Sequence, residues 1–578
     1  MNKKRKDGFI MQAGILAVAG ILSRIIGMLY NSPMTAIIGD EGNGIYEFAY
    51  RAYTIVLLIS SYSIPAAISK VVATHLANGE YRNAHRIFKG AMFYVIFVGG
   101  FASLLVFFFA DYIVNLQSSA VVLRFFAPTI FLSGILGVLR GYFQAHRTMA
   151  QTSVSQILEQ IMNALVSILL ALWLTGWMPW GITQMGEASR RSFNGAIGGA
   201  MGTGVGVLTG ILFMWAIYGL NQKTIHRRIE NDKHPEDLTY KAIFKMIFLV
   251  VTPFILSTCV YNINSFINAT IFSSVMQGKS LADIEIATLM SAVGKSTKIA
   301  NIPIALAAAM SAAIVPGIAG DFAVKRLDLC RDKVAKAIRS TMFIAIPASL
   351  GIGVLAKPVM LLLYPQPETL ELSANLLIIM SIGVVFYSIS TLSSAVLQGI
   401  GRTNSPVINA AVALVIQTAV LDAVLFHTDL GTYAMALAPL LFAILMCLMN
   451  GLSVRRHLDY RQEWDRSFVR PLIISLIMGA AVYGTYHGLY YLVKMNIPAL
   501  LAAIIVGILV YFVLAVKLKV LGEAELKWMP HSNKLTGIIK KISTKRLPLA
   551  GTTADEAINP GRPLEEFEFL FNEDNKEE

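Results

Sequence analysis

Two apolar stretches of the chain carry cations where a bilayer would have its driest region. Arg24 stands about fifteen residues into the apolar run from 9 to 38, and Lys295 and Lys298 stand deep in the run from 284 to 319. A charge at the bilayer centre costs about 2.5 to 3.5 kcal/mol even on the mild insertion scale, so such residues are kept for a function or for a partner. Ser291, Lys295, Lys298 and Asn301 are spaced by four, three and three, which puts them on one helical face. In the run from 241 to 272, Ser257, Tyr261, Asn264 and Asn268 form a polar stripe of the same period. Fixed cations beside amides, with no matching carboxylates at their depth, suit a di-anionic or poly-anionic ligand such as a pyrophosphate. Arginine would grip it through paired N–H donors and lysine as a point charge.

Other ionisable residues lie nearer the ends of their apolar runs. Glu47, Arg51, Arg124 and Asp422 fall towards the expected outer end, and Lys70, Arg140 and Glu159 towards the cytoplasmic end. Snorkelling or local pairing, such as Arg51 with Glu47 one turn earlier, accounts for most of them. Arg51 stays a binding candidate, and Asp422 and Glu159 stay candidates for ion coupling. The competing reading of the cations is structural pairing between helices. No enzyme signature is present: the nine His form no metal pair on one helix, no two carboxylates face each other at midspan, and there is no P-loop. No cofactor or metal is expected. Cys259, Cys330 and Cys447 make no ligand-spaced cluster.

The elements that would position these residues follow from composition. With 55% hydrophobic and 14% charged residues and a mean hydropathy of +0.62, the 578-residue chain cannot cover a water-soluble surface of its size. A helical span needs about 20 apolar residues. Such runs are expected at 9–38, 45–76, 87–110, 119–141, 152–175, 195–220, 241–272, 284–319, 337–363, 370–399, 405–427, 432–454, 468–493 and 497–518. The net charge of +13 reads as a topology signal and not as a nucleic-acid surface. With the N-terminus inside, cytoplasmic connections hold Arg82, Arg86, Lys89, Arg147, Arg227, Arg228, Lys325, Arg326, Arg402, Arg455 and Arg456, whereas the opposite ones hold only Arg190, Arg191, Lys279 and Lys494. Moving the count by one span would scramble this asymmetry. The basic start (Lys3, Lys4, Arg5, Lys6) followed by an apolar run imitates a secretory signal, but no small-residue cleavage site interrupts it, so it reads as a retained first span. Prolines within spans and the glycines from Gly195 to Gly210 read as kinks and close packing, or as hinges.

An internal repeat organises the spans. Ile21-Leu22-Ser23-Arg24 recurs as Ile255-Leu256-Ser257-Thr258, Ala66-Ala67-Ile68 as Ala312-Ala313-Ile314, and Gln144 with Arg147-Thr148 as Gln398 with Arg402-Thr403. Six spans separate the copies, so both halves enter the membrane in one direction, with a substrate site expected between them. At this offset Arg51 maps to Thr297, beside Lys298. The fold expected is an all-α polytopic membrane protein with two parallel six-helix lobes, 1–235 and 236–460, and two extra helices within 461–522. Residues 523–578 form a tail, first basic and amphipathic, then acidic around Phe567, Phe569 and Phe571, a spacer or a partner-docking segment.

Ser23-Arg24-Ile25-Ile26-Gly27, Ile38-Gly39-Asp40-Glu41-Gly42 with Gly44-Ile45-Tyr46, and Ile64-Pro65-Ala66-Ala67-Ile68-Ser69-Lys70 resemble the MOP exporter superfamily. Within it they resemble the MurJ-type lipid II flippases, the YtgP and stage V sporulation protein B kind, up to about residue 520. The resemblance implies a fourteen-helix fold, a central cationic cavity, a groove for the lipid tail formed by the two extra helices, and alternating access. It matches the family's first-span arginine to Arg24 and its eighth-span basic residue to Lys298, ahead of Pro303. The chain departs from Gram-negative members in having Tyr30-Asn31 for their Arg-Asp pair, with Arg51 the nearest substitute for their second-span arginine; Asn31 thereby joins the expected substrate-binding residues Arg24, Arg51, Lys295, Lys298, Asn264 and Asn268. The implied passenger is undecaprenyl-pyrophosphate-linked lipid II. The alternatives are another lipid-linked oligosaccharide (capsule, teichoic or sporulation precursor), a multidrug antiporter, a membrane-embedded glycosyl transferase, or a scaffold for envelope enzymes. The expected setting is a monomer in the bacterial cell membrane, both termini cytoplasmic, touching membrane lipids and cell-wall synthesis enzymes, with no nucleic acid.

Overall fold

A computed structural model of the chain describes residues 19–20, 22–62, 64–146, 148–176, 187–232 and 238–518, leaving aside the side chains of 61–62, 251–261, 312–313 and 316. In hydrocarbon every backbone N–H and C=O must be paired within the protein, which leaves helices as the form for apolar runs of this length. The first fold elements are α1 (Asn31–Leu57), α2 (Ile64–Ala77), α3 (Tyr81–Ile113), α4 (Gln117–Ala145), α5 (Met149–Thr175) and α6 (Glu187–Glu230). They are followed by α7 (Tyr240–Gly278), α8 (Asp283–Ala323), α9 (Leu327–Val354), the short α10 (Ala356–Leu363), α11 (Pro367–Gly399), α12 (Asn404–His427), α13 (Ala434–Leu458), α14 (Arg470–Val493) and α15 (Asn496–Lys517).

Among the described residues no strand occurs, and eleven helical stretches are long and apolar enough to cross a membrane. They coincide with the second to sixth and ninth to fourteenth expected spans. Helices α7 and α8, of 39 and 41 residues, cover the seventh and eighth. Residues 22–29 are helical and run on into α1 through Tyr30 N–H to Ile26 O and Met34 N–H to Tyr30 O. Residues 9–18 and 21 of the first expected span and the basic start before it lie outside the described residues, as do Arg147 and the whole tail from 523 to 578.

The join between the first two expected spans is a single residue. Within α1, Gly39 takes φ +71°, ψ −178°, a conformation that a side chain resists. The chain folds back there as a helical hairpin: Thr35 Oγ1 donates to Asn43 Oδ1 at 3.3 Å, and Met34 and Tyr46, on either side of the turn, both pack against Gly199 of α6. A π-helical turn at Leu58–Tyr62 separates α1 from α2 just ahead of Pro65, whose missing N–H and bulky ring disturb the ladder.

Large aromatics cover the lipid-facing side, with Phe97 72% and Phe101 64% exposed on α3, an arrangement that only an apolar solvent favours. The glycine-rich run works by close approach: a Cβ on Gly202 of α6 would strike the Ser167 backbone of α5. One apolar core joins α2, α3, α4 and α6 with the start of α7, and another joins α8, α9, α11 and α13. A larger cluster runs across the two groups through α1, α4, α6, α7 and α8, at the end of the bundle that holds Gly39. Helices α14 and α15 pack on each other and against Phe343 and Leu355 at one flank.

Candidate functional site

Helices α1 and α8 cross at close range, and glycine permits it. A Cβ on Gly44 would land inside the backbone carbonyl of Ala287, and one on Gly294 would strike the Glu47 side chain. Across this contact two polar stripes of helical period face each other: Asp40, Asn43, Glu47 and Arg51 from α1, and Ser291, Lys295 and Lys298 from α8.

At the Gly39 end the contact is a closed polar knot. Lys295 pairs with Asp40, each side chain 1% exposed, and also donates to Thr369 Oγ1 at 2.9 Å and Gln366 Oε1 at 3.1 Å. These acceptors use all three ammonium N–H donors. Asp40 further accepts from Ser291 Oγ at 3.0 Å and Thr369 Oγ1 at 2.7 Å, and Asn43 Nδ2 donates to Ser291 Oγ at 2.9 Å. Tyr364 closes the side, its ring centroid 5.6 Å from the Lys295 nitrogen.

One turn further along α8 the arrangement opens. Lys298 donates to Asn31 Oδ1 at 2.8 Å and pairs with Glu47 Oε1 at 2.5 Å, and 22% of its side chain stays exposed. Glu47, 6% exposed, also faces the Arg51 Nε at 3.9 Å. Arg51 turns its Nη1 to Ser265 of α7, 2.6 Å from the hydroxyl and 3.3 Å from the carbonyl oxygen. Arg24 is exposed and lies seven residues before Asn31, which puts it on the same helical face about 10 Å further from Gly39.

The structure therefore brings Asn31, Arg51 and Lys298 together, aligns Arg24 with them and seals Lys295 apart. The expectation of cations without matching carboxylates is corrected: Asp40 and Glu47 match Lys295 and Lys298. Both were legible as acids, but Asp40 fell in a span junction and Glu47 near a span end, where depth along one helix hides what a second helix brings to it. The shared spacing of seven between Asp40 and Glu47 and between Ser291 and Lys298 was the available signal.

The amide stripe divides. Asn264 is buried beside Ser265, with its Oδ1 lacking a hydrogen-bond partner, whereas Asn268 turns away and accepts from Gln417 Nε2 of α12 at 2.8 Å. The side chains of Ser257 and Tyr261 lie outside the description. Glu159 pairs with Arg140 at 2.7 Å, and Asp422 is exposed on α12, so the two ion-coupling candidates do not meet at the α1–α8 contact. Among the described residues no group of three or more His, Cys, Asp or Glu could hold a metal. A hollow of about 180 Å³ at the far ends of α2, α4 and α6, edged by Tyr81, Tyr142, His146 and Arg228, includes none of the expected site residues.

Comparison with known proteins gives this geometry a context. The family model described as lipid II flippase MurJ matches residues 116–503. The lipid II flippase MurJ of Bacillus subtilis (strain 168) is 25% identical over 515 residues, covering 86% of this chain and 91% of that protein. Stage V sporulation protein B of the same organism is 23% identical over 550 residues, covering 92% and 99%. Among solved structures, a lipid II flippase MurJ in an inward closed conformation superposes with a TM-score of 0.63 at 17% identity, over 86% of this chain and 97% of that one. An inward-facing multidrug resistance MATE family transporter of the MOP superfamily gives 0.56 at 15% identity, over 78% and 98%. The structural likenesses establish the fold.

Proposed function

The chain belongs to the lipid II flippase MurJ family, and on that premise we propose that it carries lipid II from the inner to the outer leaflet by alternating access. It is a multi-pass membrane transporter and not an enzyme. In our reading the lobes are 1–235 and 236–460, meeting at the α1–α8 contact, and both termini face the cytoplasm, as the basic connections require. The closed Asp40–Lys295 knot is then the outer seal, and the side of Lys298 and Arg24 opens inward.

The observation that carries this reading is the environment of Lys298. Its ammonium is held by Asn31 and Glu47 at the edge of the interlobe contact, with part of the side chain exposed, Arg51 behind Glu47 and Arg24 two turns along. Arg24, Arg51 and Lys298 would bind the pyrophosphate, with Asn31 and Asn264 as polar support. Lys295 and Asn268 are occupied by protein partners and would act on the site only through packing. Asp422 and Glu159 are set aside as coupling groups, leaving the membrane potential to act on the site's own charges at about 2.3 kcal/mol per charge per 100 mV. The working unit is a monomer among membrane lipids, handing its passenger to cell-wall synthesis enzymes.

The test is translocation of lipid II by the purified full-length chain in proteoliposomes, with complementation of a flippase-depleted strain. Arg24→Ala and Lys298→Ala should each abolish both while membrane levels hold. Normal flipping by both variants would overturn the reading. A wild-type chain that moves another undecaprenyl-pyrophosphate saccharide but not lipid II would reassign the passenger.

A further inference from the structure

Glu47 is not needed to bind an anion, and in a cationic site it works against one. Yet it stands between the two cations that flank it, 2.5 Å from the Lys298 nitrogen and 3.9 Å from Arg51 Nε, with only 6% of its side chain exposed. The fold makes room for it: Gly294 on α8 leaves open the space that the Glu47 carboxyl fills, and any side chain there would collide with it.

The pair also spans the two helices. Glu47 belongs to α1 and Lys298 to α8, and the ties nearer Gly39, Asn43 with Ser291 and Asp40 with Lys295, lie on the same two stripes. Glu47–Lys298 is the member of this series with an exposed partner, so a ligand arriving from that side reaches it first. A phosphate oxygen that takes the Lys298 ammonium competes directly with the carboxylate, because both accept from the same N–H donors. Holding both anions against one ammonium in a poorly solvated contact is unfavourable, so the carboxylate is the group that moves.

We propose that Glu47 is a built-in counter-anion that occupies Lys298 and Arg51 in the empty transporter and yields Lys298 to the passenger's pyrophosphate. Loading the site thereby removes one of the two ties that Lys298 makes from α8 to α1, the other being to Asn31, and primes the contact to part. This rests on Lys298 and Arg51 being the passenger's cations. It adds a reason for the passenger, and not thermal motion alone, to trigger the change of state.

The test measures binding of undecaprenyl pyrophosphate to the full-length chain in detergent, with Glu47→Gln, Glu47→Asp and Lys298→Met variants. Freed of its competitor, Glu47→Gln should bind about tenfold tighter than the native chain, the worth of one charge-assisted contact that no longer has to be broken. Glu47→Asp, whose carboxylate is drawn back by one methylene, should bind about threefold tighter by the same logic and stands in if Glu47→Gln does not fold. A second readout is a Ser291→Cys thiol, sealed in the contact. Ligand should expose it to an impermeant maleimide in the otherwise native chain, and in combination with Glu47→Gln it should react without ligand. Unchanged or weaker binding by the Glu47 variants, with Lys298→Met binding lost, would overturn this inference and leave the cation site standing. Undiminished binding by Lys298→Met would instead bring down the cation site, and this inference with it.

Discussion

Lys295 and Lys298 are one turn apart on the same helix, and their surroundings could hardly differ more. Lys295 has every N–H matched by Asp40, Thr369 and Gln366 and only 1% of its side chain exposed, whereas Lys298 shares Asn31 and Glu47 and keeps a fifth of its side chain exposed. Equal charge at nearly equal depth thus serves two ends. A fully satisfied ammonium has no donor left for a passenger and can only hold helices together, while a partly satisfied one at an edge can exchange partners.

The largest expected effect separates the two lysines. Lys295→Met strands Asp40 in a closed contact, and breaking a buried pair from one side costs about 3 to 5 kcal/mol. The variant should show a large fall in thermal unfolding midpoint and in membrane level. Adding Asp40→Asn should restore much of the loss, since the stranded charge is the main penalty. A Lys295→Met protein that stays fully stable but no longer flips would exchange the roles assigned to the two residues.

A smaller effect addresses the contact that both lysines depend on. Gly44→Ala forces a methyl into the Ala287 carbonyl, and overpacking of this kind costs about 1 to 3 kcal/mol. Thermal unfolding should drop accordingly, and transport should fall because the two stripes are pushed apart. Gly488→Ala on α14, where nothing lies within 4 Å, should leave both unchanged. Equal tolerance at the two positions would mean that the close approach of α1 and α8 is not required.

Much of the fold could be read from the sequence because hydrocarbon imposes length and helicity directly: the apolar runs from 45 to 220 and from 337 to 518 reappear as helices with ends shifted by up to about ten residues and the run from 337 to 363 broken at Leu355. The boundary near residue 38 was also legible, since Gly39 is where a hairpin needs positive φ. The site was legible in part. Depth along a span singled out Arg24, Lys295 and Lys298, but depth is a property of one helix. Which cation is sealed depends on what another helix presents some 250 residues away, and nothing in the run from 284 to 319 announces Asp40. The amide stripe met the same limit: Asn264 and Asn268 share a helical period, yet a rotation of about 40° between them is enough to send Asn268 to Gln417 in α12. Glu47 reads from the sequence as an acid near the end of its span, paired with Arg51, and that pair is present, but its second partner on α8 is what joins it to the site.

The smallest expected effect supplies the baseline for the comparison. Asp332 and Lys336 form an ion pair one turn apart on α9 with an N–O distance of 2.7 Å, as close as many buried pairs, but their side chains are 54% and 51% exposed. Solvent screens such a pair and each side chain gives up rotamer freedom to make it, so it contributes only about 0.3 to 0.5 kcal/mol. Asp332→Asn should therefore shift thermal unfolding by far less than Lys295→Met and leave lipid II translocation at the native rate. If the two substitutions were equally damaging, charge pairing itself would set the scale. If the large gap appears, burial does, and the contrast between a sealed lysine and an exchangeable one rests on solvent access and not on the count of ion pairs.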